Sequence, residues 1–199
     1  MGDQGEEQAA RRERAAEREA AARTVLERLG LLERWRPHGD PLLVGSVALG
    51  LVVEADIDLE IYSDAPSIAA GFAAVAPCAE LPGVRRLRFT NTLDLDDPGL
   101  YWRLDVEHGG ETWKVDMWSL ARDYPGPRAA ELVGPLREAF TAETRDAVLA
   151  VKEAAADRGE ALPGVWVYRA VLEGGVRDWD GFAAWRRSVD TTALTDWRP

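Results

Sequence analysis

The chain has 199 residues, 46% of them hydrophobic, enough for one globular domain or a small core domain with a helical appendage. No run of about 18 apolar residues occurs, and Met1 to Ala22 alternates Arg, Glu and Ala where a leader would be apolar, so export and membrane insertion are not expected and a cytoplasmic protein is. A formal charge of −11 opposes a long polyanion, and no basic stripe offsets it, so nucleic acid is not expected as a partner. A nucleoside triphosphate is a different case, because divalent cations held by carboxylates offset both charges. One cysteine, Cys78, with two histidines, His38 and His108, makes neither an internal disulfide nor an ordinary zinc site.

Residues 6–29 are rich in helix formers and lack proline, which predicts a helix. Its first half has almost no apolar face, so residues 1–20 are expected to form a solvated, partly frayed arm. Val25, Leu29 and Leu32 then recur at helical spacing beside Leu26 and Trp35, and this end is expected to pack on the core. The arm is taken as residues 1–36, a core as 37–127 and a C-terminal helical region as 128–199. After the turn cluster Pro37-His38-Gly39-Asp40-Pro41 the pattern predicts a strand at 42–44, a short helix at 47–52 and a strand at 57–62. A helix at 66–76, capped near Ser63 or Asp64, precedes three β-like runs at 84–92, 100–107 and 112–120. The only close basic cluster beyond the first helix is Arg85, Arg86 and Arg88. Gly109-Gly110 is a hairpin signal, and counting back from it pairs position 108 with 111, Arg103 with Asp116 and Asp105 with Lys114, all four of the latter on one sheet face. From Arg128 the chain turns helical, with one or two helices over 129–157, another over 165–172 and a last turn near 182–187.

Two short segments carry chemistry. Leu43-Val44-Gly45-Ser46 ends a strand at a glycine and opens a helix at a serine, leaving backbone N–H groups free to meet a phosphate. Ala55-Asp56-Ile57-Asp58-Leu59 places two carboxylates on one face of a strand, with Glu60 beside them, while Ile57, Leu59 and Ile61 turn inward. Carboxylates so close repel each other unless a cation or solvent separates them, and Mg²⁺ suits such a set. Alone, the first segment is an ordinary strand–turn–helix, and the second is equally an acidic edge strand.

Taken together and in order, Val44-Gly45-Ser46, a spacer of nine residues, and Asp56-Ile57-Asp58-Leu59 resemble the nucleotidyltransferase superfamily, whose fold includes DNA polymerase β and the minimal and antibiotic nucleotidyltransferases. The match covers about residues 42–62, with looser support to about 120. The resemblance implies an α+β fold: a mixed-sheet nucleotidyltransferase core with an N-terminal helix and a C-terminal helical region. It further implies that Asp56 and Asp58 hold two Mg²⁺ ions, that Gly45 and Ser46 grip the triphosphate, and that a third carboxylate on a later strand completes the metal cluster and serves as base. Asp116, framed by Val115 and Met117, is the candidate, with Asp105 as runner-up; Lys114 and Arg103 are candidate cations for the triphosphate.

The expected reaction is Mg²⁺-dependent transfer of NMP from an NTP, ATP first, to a hydroxyl of a small antibiotic-like molecule or a protein, with release of pyrophosphate. The alternative is a non-catalytic nucleotidyltransferase-like binding module, such as an antitoxin component. A third reading, a chance coincidence in an unrelated α/β fold, requires Asp56 and Asp58 to lie far from Gly45. Trp102 and Trp113 alternate as core residues of the hairpin, Trp118 is free to line a pocket, and Tyr168, Val171 and Leu172 have core spacing.

Overall fold

The computed structural model describes residues 2–199, with side chains from Gly5 onward. Helix α1 (Gly2–Leu29) and helix α2 (Leu31–Trp35) meet at Gly30, whose φ of 61° breaks the helix as a glycine can. Strand β1 (Asp40–Val44) runs into the short helix α3 (Gly45–Leu49), and strand β2 (Asp56–Ser63) follows. Helix α4 (Ile68–Val75) is capped by the Ser67 hydroxyl, which accepts from Ala70 N; the cap is thus later than Ser63 or Asp64, because β2 runs on through Ser63. Strands β3 (Val84–Asn91), β4 (Leu100–His108) and β5 (Glu111–Ala121) complete the sheet. The chain ends in helices α5 (Ala129–Ala139), α6 (Ala142–Asp157), α7 (Gly164–Leu172) and α8 (Trp179–Trp185). Among the described residues no helix is long and apolar enough to cross a membrane.

The sheet has the order β1-β2-β5-β4-β3, with β2 and β5 parallel and every other pair antiparallel. This is an α+β architecture with a mixed sheet. The hairpin register is the one counted from Gly109-Gly110: His108 faces Glu111, Arg103 faces Asp116 and Asp105 faces Lys114. One face of the sheet, carrying Ile57, Leu59, Trp102, Leu104, Val115 and Met117, packs on the end of α1, α2 and α4 in the larger core. A second core joins Leu49 and Leu51 to α5–α8 through Leu136, Val148, Val151, Val167, Val171 and Phe182. The polar face of β2 and β5 lies between these two cores.

Residues 5–20 are not a frayed arm. Ala15 is buried, Arg11 and Arg14 pair with Glu153, Arg12 pairs with Asp146, and Arg18 pairs with Glu111. The first half of α1 lacks an apolar stripe because ion pairs to α6 and β5 hold it instead. The part of that expectation concerning Met1 lies outside the described residues. At the other end Trp197 is buried and its Nε1 donates to Glu173 at 2.6 Å, while Arg198 pairs with Glu131.

Candidate active site

Alternation along β2 turns Asp56 and Asp58 to the polar face while Ile57 and Leu59 enter the core. The parallel partner β5 sets Asp116 directly opposite Asp58. One carboxylate oxygen from each of Asp56, Asp58 and Asp116 lies within 4.8 Å of the other two. Burial, then the charges of Asp56 and Asp116, push the Asp58 carboxyl up to about 7. Asp56 is raised by burial first and by Asp116 second. Asp56 Oδ1 is buried without a hydrogen-bond donor. Such an orphaned oxygen inside a crowded carboxylate set is what a divalent cation neutralises, so these residues fit Mg²⁺.

Gly45 packs against this set. Its φ is +63°, and a Cβ added there would overlap Asp58 Oδ2, so the glycine is required both by backbone conformation and by the carboxylate's approach. The turn and the aspartate strand are therefore in contact, which rules out a chance coincidence of two distant segments. Ser46 does not cap α3; its Oγ accepts from Lys152 Nζ at 2.6 Å, and Lys152 also donates to Leu51 O at 2.8 Å. Burial brings the Lys152 ammonium down to about 8, against the opposing pull of Asp58. The carbonyls ending α3 are closed by Arg137, which donates to Ala48 O at 2.6 Å, and by Arg145, which donates to Leu49 O at 2.6 Å. Helices α5 and α6 thus fix the turn from outside the core, satisfying carbonyls a short helix leaves open.

Glu60 shares the aspartate face but is not free to join a metal. Its carboxylate accepts from Ala129 N at 2.9 Å, Ala130 N at 2.8 Å and the Tyr62 hydroxyl at 2.7 Å, so it caps α5. Asp105 lies apart from the triad, held by Arg103 Nε at 2.7 Å, with Arg86 and Arg88 also facing it. Lys114 stands exposed beside Asp56 on the neighbouring strand, and Arg103 faces Asp116 from β4. Both border the triad on the side away from Gly45 and Ser46, whereas the cation beside the Gly45-Ser46 turn is Lys152.

Two residues at the site were not anticipated. The Tyr101 hydroxyl donates to Asp116 Oδ1 at 2.6 Å and its ring packs on Trp118 at 4.9 Å, leaving Oδ2 of that carboxylate for other partners. Position 101 falls opposite 118 in the same count that paired 103 with 116, so this contact was within reach of the hairpin register. Lys152, 106 residues from Ser46 in the chain, carried no such signal.

Between the triad and the C-terminal helices runs a cleft of about 450 Å³, within the ordinary range for small-molecule sites. It is lined by Gly45, Ser46 and Asp58, by Leu132 and Leu136 of α5, and by Val165 and Tyr168 of α7. Trp118 of β5 and Leu194 of the terminal segment also line it. Tyr168, expected only to pack, also lines the cleft; burial pushes its phenol up to about 12. Cys78 is buried, donates weakly to Leu29 O, and is raised by burial, an inert core thiol.

The mixed sheet, with Gly45-Ser46 at the end of β1 and Asp56 and Asp58 on β2, has the arrangement of the DNA polymerase β-like fold. No protein-family model matches the chain, and no curated protein sequence matches it. Among solved structures it is similar to a cytoplasmic RNA terminal U-transferase, with a TM-score of 0.54 and 18% identity over 78% of this chain and 47% of that one. It is also similar to the GLD-2/RNP-8 complex (TM-score 0.52, 15% identity, 75% of this chain and 56% of that one). A third match is the non-canonical poly(A) polymerase complex GLD-2–GLD-3 (TM-score 0.57, 15% identity, 96% of this chain and 67% of that one). The chain spans about half the length of the first two, 47% and 56%.

Proposed function

We propose that the protein is a nucleotidyltransferase that moves a nucleoside monophosphate from an NTP, ATP first, to an acceptor hydroxyl and releases pyrophosphate. The observation that carries this is the convergence of three carboxylates within 4.8 Å, one of which, Asp58, lines a cleft together with the Gly45-Ser46 turn. Asp56, Asp58 and Asp116 are the residues that would hold Mg²⁺, two ions in this reading. The metal, when bound, supplies Lewis-acid stabilisation of charge on the phosphoryl oxygens and of the departing pyrophosphate. The turn at Gly45-Ser46 binds the triphosphate, and Lys152, fixed by Ser46 and Leu51, adds the positive charge that β- and γ-phosphates require. Asp116 accepts the proton of the attacking hydroxyl through Oδ2, because Tyr101 occupies Oδ1. The apolar walls from the helical region 128–199 take the base and exclude water.

Two of the structurally similar proteins are, by name, an RNA terminal U-transferase and a poly(A) polymerase complex, and these support nucleotide transfer as the reaction class. The experiment is pyrophosphate release with each NTP in the presence of Mg²⁺ and a panel of acceptors, alongside calorimetry of NTP binding. Release that needs Mg²⁺ and is lost in Asp56→Asn/Asp58→Asn is the expected result. An absence of NTP binding, with full biological function in that double variant, would overturn this reading in favour of a non-catalytic binding module.

A further inference from the structure

The polar face of the sheet continues past the triad, and its charge changes sign. Register sets Asp58, Asp116, Arg103 and Arg88 in one row across β2, β5, β4 and β3, and Asp56, Lys114, Asp105 and Arg86 in the next. Beyond the three aspartates this surface therefore carries four cations around a single carboxylate, on a chain whose net charge is −11. Asp105 is nearly buried and anchors Arg103, while Arg86 and Arg88 approach it at 3.6 and 3.7 Å. At those separations most of their guanidinium donors stay available, and their side chains are 58% and 47% exposed. Lys114 forms no ion pair among the described residues. The patch lies on the opposite side of the triad from the Gly45-Ser46 cleft, where an acceptor must approach if the nucleotide fills that cleft.

On the basis of the nucleotide-transfer reading, we infer that the acceptor is the hydroxyl end of a single-stranded polynucleotide, with its backbone phosphates seated on Arg103, Arg88, Arg86 and Lys114. Two facts select this occupant. The cations extend from Asp116 across two strand spacings, about 10 Å, which is too long for one phosphate and suits successive phosphodiesters. Their sign also repels a polycationic acceptor such as an aminoglycoside, the antibiotic class a mean charge of −11 would favour. The whole-chain charge is thus a poor guide to this surface, because the negative charge lies elsewhere.

The test is fluorescence anisotropy with a short single-stranded oligoribonucleotide bearing a free 3′-hydroxyl, without NTP, on the full chain and on Arg86→Ser/Arg88→Ser. Both positions are exposed on the edge strand, so the variant keeps the fold, and it keeps calorimetric MgATP affinity because neither residue borders the cleft. The expected result is binding that weakens steeply with salt, a loss of tenfold or more in the variant, and a salt slope shallower by about 1 to 2. Wild-type binding that is absent at low salt, or equal in the variant, overturns the inference. So does NMP transfer to a neutral small molecule or a sugar phosphate in preference to the oligonucleotide. Failure of MgATP binding alone would instead strike the nucleotide-transfer reading, since the anisotropy is read without nucleotide.

Discussion

The two faces of the sheet come from the same five segments and differ in almost every respect. The inner face is dry: Trp102 and Trp113 are fully buried, and Trp102 meets Trp35 edge-on at 5.4 Å and Phe89 at 5.0 Å. The outer face carries three crowded aspartates, an exposed lysine and a row of arginines, and the crowded aspartates raise the free energy of the folded chain unless a partner neutralises them. Stability thus resides on one side of the strands and reactivity on the other, separated by the thickness of a backbone. What the contrast teaches is that mutations should sort by face, and the largest expected effects test this first.

Trp102→Ala removes the inner face's central ring and should cost about 3–5 kcal/mol, read by denaturant unfolding. If instead it spares stability and abolishes transfer, the division by face fails. On the outer face, Asp56→Asn/Asp58→Asn should lower transfer by about 10²–10³-fold, some 3–4 kcal/mol of transition-state stabilisation, with an unchanged circular dichroism spectrum. EDTA should do the same to the wild type. The sharpest contrast comes from Asp58→Asn alone in metal-free protein. The folded-state carboxyl titrates at about 7, above the ordinary carboxylate value, so the unmodified fold loses stability as pH rises from about 4 through 7. The variant escapes that loss and should be more stable by on the order of 2 kcal/mol above pH 7 and equal to wild type below about pH 4, as thermal melts in EDTA will read. Lys152→Met should raise the nucleotide KM about tenfold or more through loss of a charged hydrogen bond, without lowering the melting temperature. The smallest effect is expected from Tyr101→Phe, a fall in kcat of less than about tenfold with KM for nucleotide unmoved, as one hydrogen bond to Asp116 disappears.

The inner face was legible in advance, because alternation of apolar residues along β2, β4 and β5 is a period that a strand imposes on its own sequence. The hairpin register followed from Gly109-Gly110, since a two-residue turn fixes the pairing of everything behind it. The Gly-Ser turn and the paired aspartates were legible as motifs. Glu60 was placed on the aspartates' face, but its role as the cap of α5 was not legible, because the arrival of α5 above it was not known. The fraying of the largely solvated arm was misread for a like reason: its arginines find Asp146 and Glu153 on a helix over a hundred residues later. Arg86 and Arg88 were legible as a cluster, but the patch was not, because it needs Arg103 and Lys114 from β4 and β5 beside them.

The sequence by itself determined the strands, their buried sides, the hairpin pairing and the order of Gly45-Ser46 before Asp56 and Asp58, because each of these depends on neighbours a few residues apart. Tertiary structure alone decided that β5 lies parallel to β2 and sets Asp116 against Asp58, that Lys152 reaches Ser46 from α6, and that four cations gather beyond the triad. Periodicity assigns a side chain to a face, whereas distance between charges depends on which strands and helices become neighbours. That is settled by packing of the two cores and is not encoded within any one segment.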